Sequence, residues 1–85
     1  MTLDVAVQMD PIGAIDIAAD STFAMMLAAQ ARGHRLWVYG PDQLRFEDGR
    51  ILATAQRVSV KPEQGAHAEL APAETLELRA VDVVL

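Results

Sequence analysis

The sequence predicts an α/β fold with a mostly parallel sheet, one main crossover helix and an antiparallel hairpin. Three observations carry this reading. The N-terminal half opens as strand, helix, strand: LDVAVQM, then STFAMMLAAQAR, then RLWVY. An Asp48-Gly49 pair between two extended arms is the strongest short hairpin signal in the chain. The final VDVVL has the composition of a buried strand.

From Leu3 to Met9, apolar Leu3, Val5, Val7 and Met9 alternate with Asp4, Ala6 and Gln8, the period of a strand. Pro11 has no N–H for a ladder and pushes Asp10 toward extended geometry, so the strand ends there. The loop from Pro11 to Asp20 carries Ile12, Ile15 and Ile17 among Gly13, Ala14, Ala18 and Ala19. A solvent loop is normally richer in polar residues. These isoleucines either fill the edge of the chain's own core or meet another domain or subunit.

Asp20-Ser21-Thr22 supplies the N-cap, since short side-chain oxygens accept from the free N–H groups of a first turn. The helix then runs from Ser21 to Arg32 and stops at Gly33. Phe23, Met26 and Leu27, with Gln30 or Ala31, form the face toward the sheet. Ala24, Met25, Ala28 and Ala29 leave almost no polar face, and such a helix is usually buried on more than one side. Ile15, Ile17, Met25 and Ala29 are therefore expected at an interface.

Arg35 to Tyr39 forms the second strand, closed by Gly40-Pro41. A strand–helix–strand unit makes the two strands parallel, and it places the first loop and the helix start at the carboxyl edge of the sheet. Ligands of open α/β sheets bind at that edge. Beyond it, Pro41 to Leu44 suits a helical turn. Arg45–Glu47 and Arg50–Leu52 are the hairpin arms, the second reaching Ala55. Arg57 to Lys61 reads as a further strand or the arm's continuation, Pro62 to Gly65 as a turn, and Ala66 to Leu70 as strand or coil. Pro72 to Arg79 suits a short helix or polar loop, with Leu76 and Leu78 favouring extended structure. Val81 to Leu85 reads as the middle of a sheet. Natural termini are usually polar and frayed, so this ending predicts a piece of a longer chain.

At 85 residues the sequence holds one small domain, yet 52% of it is apolar. Twelve acidic residues against 7 basic ones give a net charge of −5, and the bases are scattered. No basic cluster exists to neutralise nucleic acid or an anionic membrane. With 0 cysteines there is no disulfide, thiolate metal site or cysteine nucleophile. The start MTLDVAVQMD lacks the basic region of a signal peptide, and no apolar run approaches the ~20 residues of a membrane span. A cytoplasmic protein is expected.

No self-contained catalytic constellation appears. Gly13 is the only glycine between the first strand and the helix, so neither phosphate-binding glycine motif is present. His34 and His67 lie far apart, which argues against a metal site, and His34 reads as a surface residue after the Gly33 cap. Ser21 has no local base and reads as a capping residue. Asp10 has two readings: turn chemistry at a strand end, or pairing with a substrate cation at the carboxyl edge. On the residues alone, a small ligand-binding or protein-interaction module without catalysis stays open.

The string itself adds more. MDPI, IDI, DSTFAM and AQARGH, in that order, resemble the N-terminal domain of prokaryotic glutathione synthetases. The match is strongest from Gln8 to Gly33, weak through the hairpin, and returns in VDVVL. In that family the last strand runs into an Arg-Lys-Asp-Pro-Pro stretch, which would begin just beyond Leu85. The resemblance implies a Rossmann-like preATP-grasp domain, residues 1–85, ahead of an ATP-grasp catalytic body. It implies a reaction joining γ-glutamylcysteine to glycine with ATP and magnesium through an acyl-phosphate. ATP and metal ligands would lie outside this segment, and no catalytic residue within it. Asp10, Pro11, Ile12 and Ser21 would line the peptide-substrate side, and the chain would contribute to a homo-oligomer.

Overall fold

The computed structural model describes residues 1–85. Strands β1 (Asp4–Gln8), β2 (Arg35–Tyr39), β3 (Leu44–Glu47), β4 (Arg50–Val60), β5 (Ala68–Leu70), β6 (Glu74–Glu77) and β7 (Val83–Val84) form one 7-stranded sheet with a single α-helix, α1 (Ser21–Ala31), between β1 and β2. The path runs β3-β4-β2-β1-β7, with β5 and β6 also pairing β4. β1 is parallel to β2, Val5 facing Leu36 and Val7 facing Val38, as the βαβ reading requires.

The sheet is mixed, not mostly parallel. Only β1–β2 and β1–β7 are parallel, while β4 is antiparallel to β2, β3, β5 and β6. The reason is connectivity. A parallel neighbour needs a crossover of a dozen or more residues, usually helical, whereas antiparallel partners need only a turn. This chain has one α-helix to spend on a crossover, and β4 absorbs four of its neighbours through short links. Of the two readings open for 57–61, the structure shows the arm's continuation: Arg50–Val60 is one continuous 11-residue strand.

Asp48-Gly49 forms the hairpin turn with φ of 50° and 76°, and Glu47 faces Arg50 across it. Both central residues lie in the left-handed region, as a two-residue type I′ turn demands. Pro41–Gln43 is a 3-10 turn, and Gln43 Oε1 accepts from the Gly40 N–H at 2.6 Å.

Helix α1 begins at Asp20, whose Oδ1 accepts from the Phe23 N–H at 2.8 Å. It ends in a Schellman arrangement. The Gly33 N–H donates to the Gln30 carbonyl at 2.9 Å and the His34 N–H to that of Ala29 at 3.1 Å, with Gly33 at φ 84°. His34 is more than a surface residue: its Nδ1 accepts from the Leu3 N–H at 3.1 Å and fixes the entry to β1. Gln30 likewise bonds both the N–H and the C=O of Val60 at 2.7 Å, tying the helix to the end of β4.

The core lies between helix and sheet. Phe23 and Met26 from α1 meet Val5 and Val7 of β1, Leu36 and Val38 of β2, and Val58 and Val60 of β4. Ile12 is buried in this same cluster, with Ile15, Ile17 and Ala29 packed at its margin. Ile12 is thus covered from within, while Ile15 and Ile17 are only partly buried against the cluster. Met25 differs, being 48% exposed. The helix is not enclosed on a second side in this chain; Ala24 and Ala28 are exposed with Met25.

The opposite face of the sheet has a smaller core of Ala6, Tyr39, Ala53 and Ala55, covered by Leu76, Leu78 and Val81. Here the Pro72–Arg79 stretch resolves into β6 and a 3-10 turn at Leu78–Ala80. The final strand is no sheet centre. β7 pairs with β1 alone, and Val84 is 51% exposed along the sheet's edge.

A charged cluster fastens that edge. Arg35 grips Asp4 through Nε–Oδ1 at 2.7 Å and Nη2–Oδ2 at 2.9 Å, and the Asp82 carboxylate accepts from the Asp4 N–H at 2.8 Å. The Arg35 hydrogen bonds hold the Asp4 carboxyl below its ordinary value of 3.8, helped by the Trp37 indole N–H. A depressed folded pKa adds stability that is present above the unfolded value and vanishes as pH falls through the folded one. Asp4→Asn should therefore flatten the loss of stability seen on acidification below about pH 4. Urea midpoints measured down to about pH 2 check this, and parallel wild-type and variant profiles would contradict it.

Candidate functional site

β1 and β2 end side by side, the Met9 N–H donating to the Tyr39 carbonyl at 3.0 Å. Both strands then turn at prolines, Asp10-Pro11 and Gly40-Pro41, and the two turns diverge. Between them opens a cleft of about 510 Å3. Asp10, Pro11, Ile12 and Gly13 form one lip, and Gly40 to Gln43 the other. Val38 and Tyr39 of β2, Gln56 of β4 and Leu70 of β5 close the remainder. This is the carboxyl edge of the parallel strands, where α/β sheets bind ligands.

The lining carries two carboxylates, Asp10 and Asp42, one on each lip, with the amides of Gln43 and Gln56. Burial raises the Tyr39 phenol above its ordinary value of 10.0, so that it remains a neutral hydroxyl. No Lys, Arg or His lines the cleft. Such a surface favours a cationic or ammonium group with hydrogen-bonding neighbours, and it opposes polyphosphate.

Three of the four residues expected on the substrate side, Asp10, Pro11 and Ile12, meet at this cleft. Ser21 does not; it is exposed at the first turn of α1 and outside the lining. Ile12 lines the cleft while its bulk serves the core. A second depression of about 360 Å3 lies behind the first lip, lined by Asp10, Pro11, Ala14, Ile15, Asp16, Ala19 and Asp20. Asp10-Pro11 is thus the ridge between two hollows.

The three acids of this stretch are employed differently. Asp16 Oδ1 accepts from the Ala18 N–H at 3.1 Å and Asp20 caps the helix at 2.8 Å, so both serve the local backbone. Asp10 belongs to none of the three ion pairs and accepts no backbone N–H from its own turn. Its carboxylate stands exposed on the lip.

Sequence reasoning missed Gln43, Gln56 and Asp42 on the far side of the cleft, and it missed His67 beneath the near lip. Asp42 and Gln43 follow from Gly40-Pro41 ending β2, which places whatever comes next at the same edge as Asp10-Pro11, whereas Gln56 arrives only through β4 pairing with β2 opposite Val38. His67 carried no such signal, for only the folded β4–β5 connection brings it under Ile12, whose carbonyl lies 2.6 Å from its Nε2.

The profile of the family described as "Prokaryotic glutathione synthetase, N-terminal domain" matches residues 3–85. The glutathione synthetase of Rhodopseudomonas palustris is 46% identical over 85 residues, which is 100% of this chain and 27% of that protein. Those of Bradyrhizobium diazoefficiens and Mesorhizobium japonicum are 47% and 44% identical, with the same coverage of each. The chain spans about a quarter of the length of these curated relatives.

Proposed function

The chain belongs to the prokaryotic glutathione synthetase N-terminal domain family, and from this premise we propose that it forms the substrate-side domain of a cytoplasmic ATP-dependent ligase. The reaction joins γ-glutamylcysteine to glycine. ATP phosphorylates the cysteinyl carboxylate, releasing ADP; the glycine amine then displaces phosphate and forms the amide bond.

The observation that carries the reading is the cleft at the carboxyl edge, with the Asp10 carboxylate free on its lip. Asp10, Pro11 and Ile12 wall the peptide substrate, and Asp10 pairs with its ammonium group. Ser21 lies farther out, at the start of α1. The residues present do not fit a nucleotide. The cleft has no basic side chain and no glycine-rich loop, and its two carboxylates gain no third ligand for a metal. In line with the family resemblance, ATP and magnesium are assigned to an ATP-grasp body outside residues 1–85, and this chain to the preATP-grasp domain that precedes it. Ile15, Ile17, Met25 and Ala29 are assigned to contacts with another subunit of a homo-oligomer or with the catalytic body, with Met25 offering the freest surface.

The test supplies the full-length protein with ATP, magnesium, γ-glutamylcysteine and glycine and follows ADP. Release should depend on glycine. Release without that dependence, or none, overturns the reading. Residues 1–85 alone should release none.

A further inference from the structure

We infer that Gln64 and His67, on the connection between β4 and β5, are positioning residues that hold the near lip of the cleft in its binding shape. The inference rests on the cleft being the peptide-substrate wall. Residues 12–18 have no strand beside them, so their backbone groups need partners from elsewhere. Local turns pair the Ala14 and Ala18 N–H groups, and two side chains from the distant connection reach the Ile12 and Ile15 carbonyls and the Ile17 N–H.

His67 supports the base of the lip. Its Nδ1 accepts from the Gly65 N–H at 3.3 Å, which leaves Nε2 to donate to the Ile12 carbonyl at 2.6 Å. The ring is 2% exposed and stands edge-on to Phe23, centroids 5.6 Å apart and planes at 83°. Its position is thus fixed from three directions, by Gly65, Ile12 and Phe23.

Gln64 holds the outer part. Its Nε2 donates to the Ile15 carbonyl at 3.0 Å and its Oε1 accepts from the Ile17 N–H at 3.0 Å. One side-chain amide thereby supplies the paired bonds that a neighbouring strand would give. Neither residue lines the cleft, and both act through the backbone that does or that continues it. A lip shifted by about 1 Å loses much of its alignment with a bound substrate.

The test uses the full-length protein with two variants. Gln64→Ala removes an exposed side chain, so the fold is kept. His67→Phe keeps an aromatic ring against Phe23 and deletes the bond to Ile12. Gln64→Ala should raise the KM for γ-glutamylcysteine by about tenfold, in the range of one or two lost hydrogen bonds. The KM for ATP should change by less than about twofold. Amide exchange at Ile17 should accelerate in the same variant, a readout independent of turnover. His67→Phe should raise the peptide KM in the same direction. A peptide KM unchanged in both variants overturns the positioning role, even if Ile17 exchange quickens, because the brace would then serve folding alone. No glycine-dependent ADP release from the wild type overturns the reaction itself, and the inference falls with it.

Discussion

Replacing Phe23 by Ala should cost about 3–5 kcal/mol of folding stability, the range for removing a fully buried aromatic side chain. Phe23 is only 1% exposed and lies at the centre of the main core, touching both the sheet residues and the His67 ring. The empty volume cannot close easily, because Asp20 fixes the helix start and Gln30 fixes its far end to Val60. A loss of that size is a large part of the ~5–15 kcal/mol available to a small domain. The control sits two residues along. Met25→Ala should change the stability of residues 1–85 by less than about 0.5 kcal/mol, since the half-exposed side chain belongs to neither core cluster. Urea unfolding of the two variants beside the wild type reads both numbers. Equal losses at the two positions would mean that the helix faces are not divided as described. In the full-length protein, Met25→Glu should weaken subunit association if the outer face of α1 is an interface. Unchanged sedimentation would remove Met25 from that assignment.

The sequence was informative where local chemistry decides the structure. β1 is bounded by Asp10-Pro11, α1 by Asp20 and Gly33, and the hairpin by Asp48-Gly49, and each boundary depends on one or two residues acting on their own backbone. The structure agrees with these within a residue or two. It departs where the deciding partner is distant. Beyond its hairpin partner β3, nothing local says that β4 should also gather β2, β5 and β6 around it, because each of those pairings needs a free antiparallel edge and only the assembled sheet shows which edges are free. The final VDVVL misled for a related reason. Apolar composition gives a strand but not its place in the sheet, and β7 lies at the edge.

The candidate site was half legible for the same physical cause. Asp10, Pro11 and Ile12 could be placed because a parallel βαβ unit puts the first loop at the carboxyl edge. Asp42, Gln43 and Gln56 required the second turn and the long strand to be set beside it. The loop isoleucines show a limit of counting apolar residues. Their packing comes with bonds from His67 and Gln64, two polar side chains that pair backbone groups of the irregular segment lying against the core. A buried loop demands partners for its backbone, and the sequence does not say which residues come to meet it.

Asp10→Asn in the full-length protein should raise the KM for γ-glutamylcysteine by about 10–100-fold while leaving the KM for ATP nearly unchanged. The magnitude follows from losing a charge-assisted hydrogen bond worth about 1.5–3 kcal/mol. The direction follows from the lining. Asp10 and Asp42 are its only charges, and an ammonium group is what two carboxylates and no base would hold. Asn keeps the size and the hydrogen-bonding reach but not the charge, so the loss should appear in peptide binding. The turn itself should survive, because Pro11 ends the strand through its missing N–H and Asp10 gives no side-chain bond to its own backbone. A turn role predicts the reverse pattern, with stability falling while both KM values stay fixed. Asp42→Asn separates the two lips. If the ammonium group sits against the near lip alone, this variant should shift the peptide KM by less than about threefold; a loss equal to that of Asp10→Asn would place the group midway across the cleft.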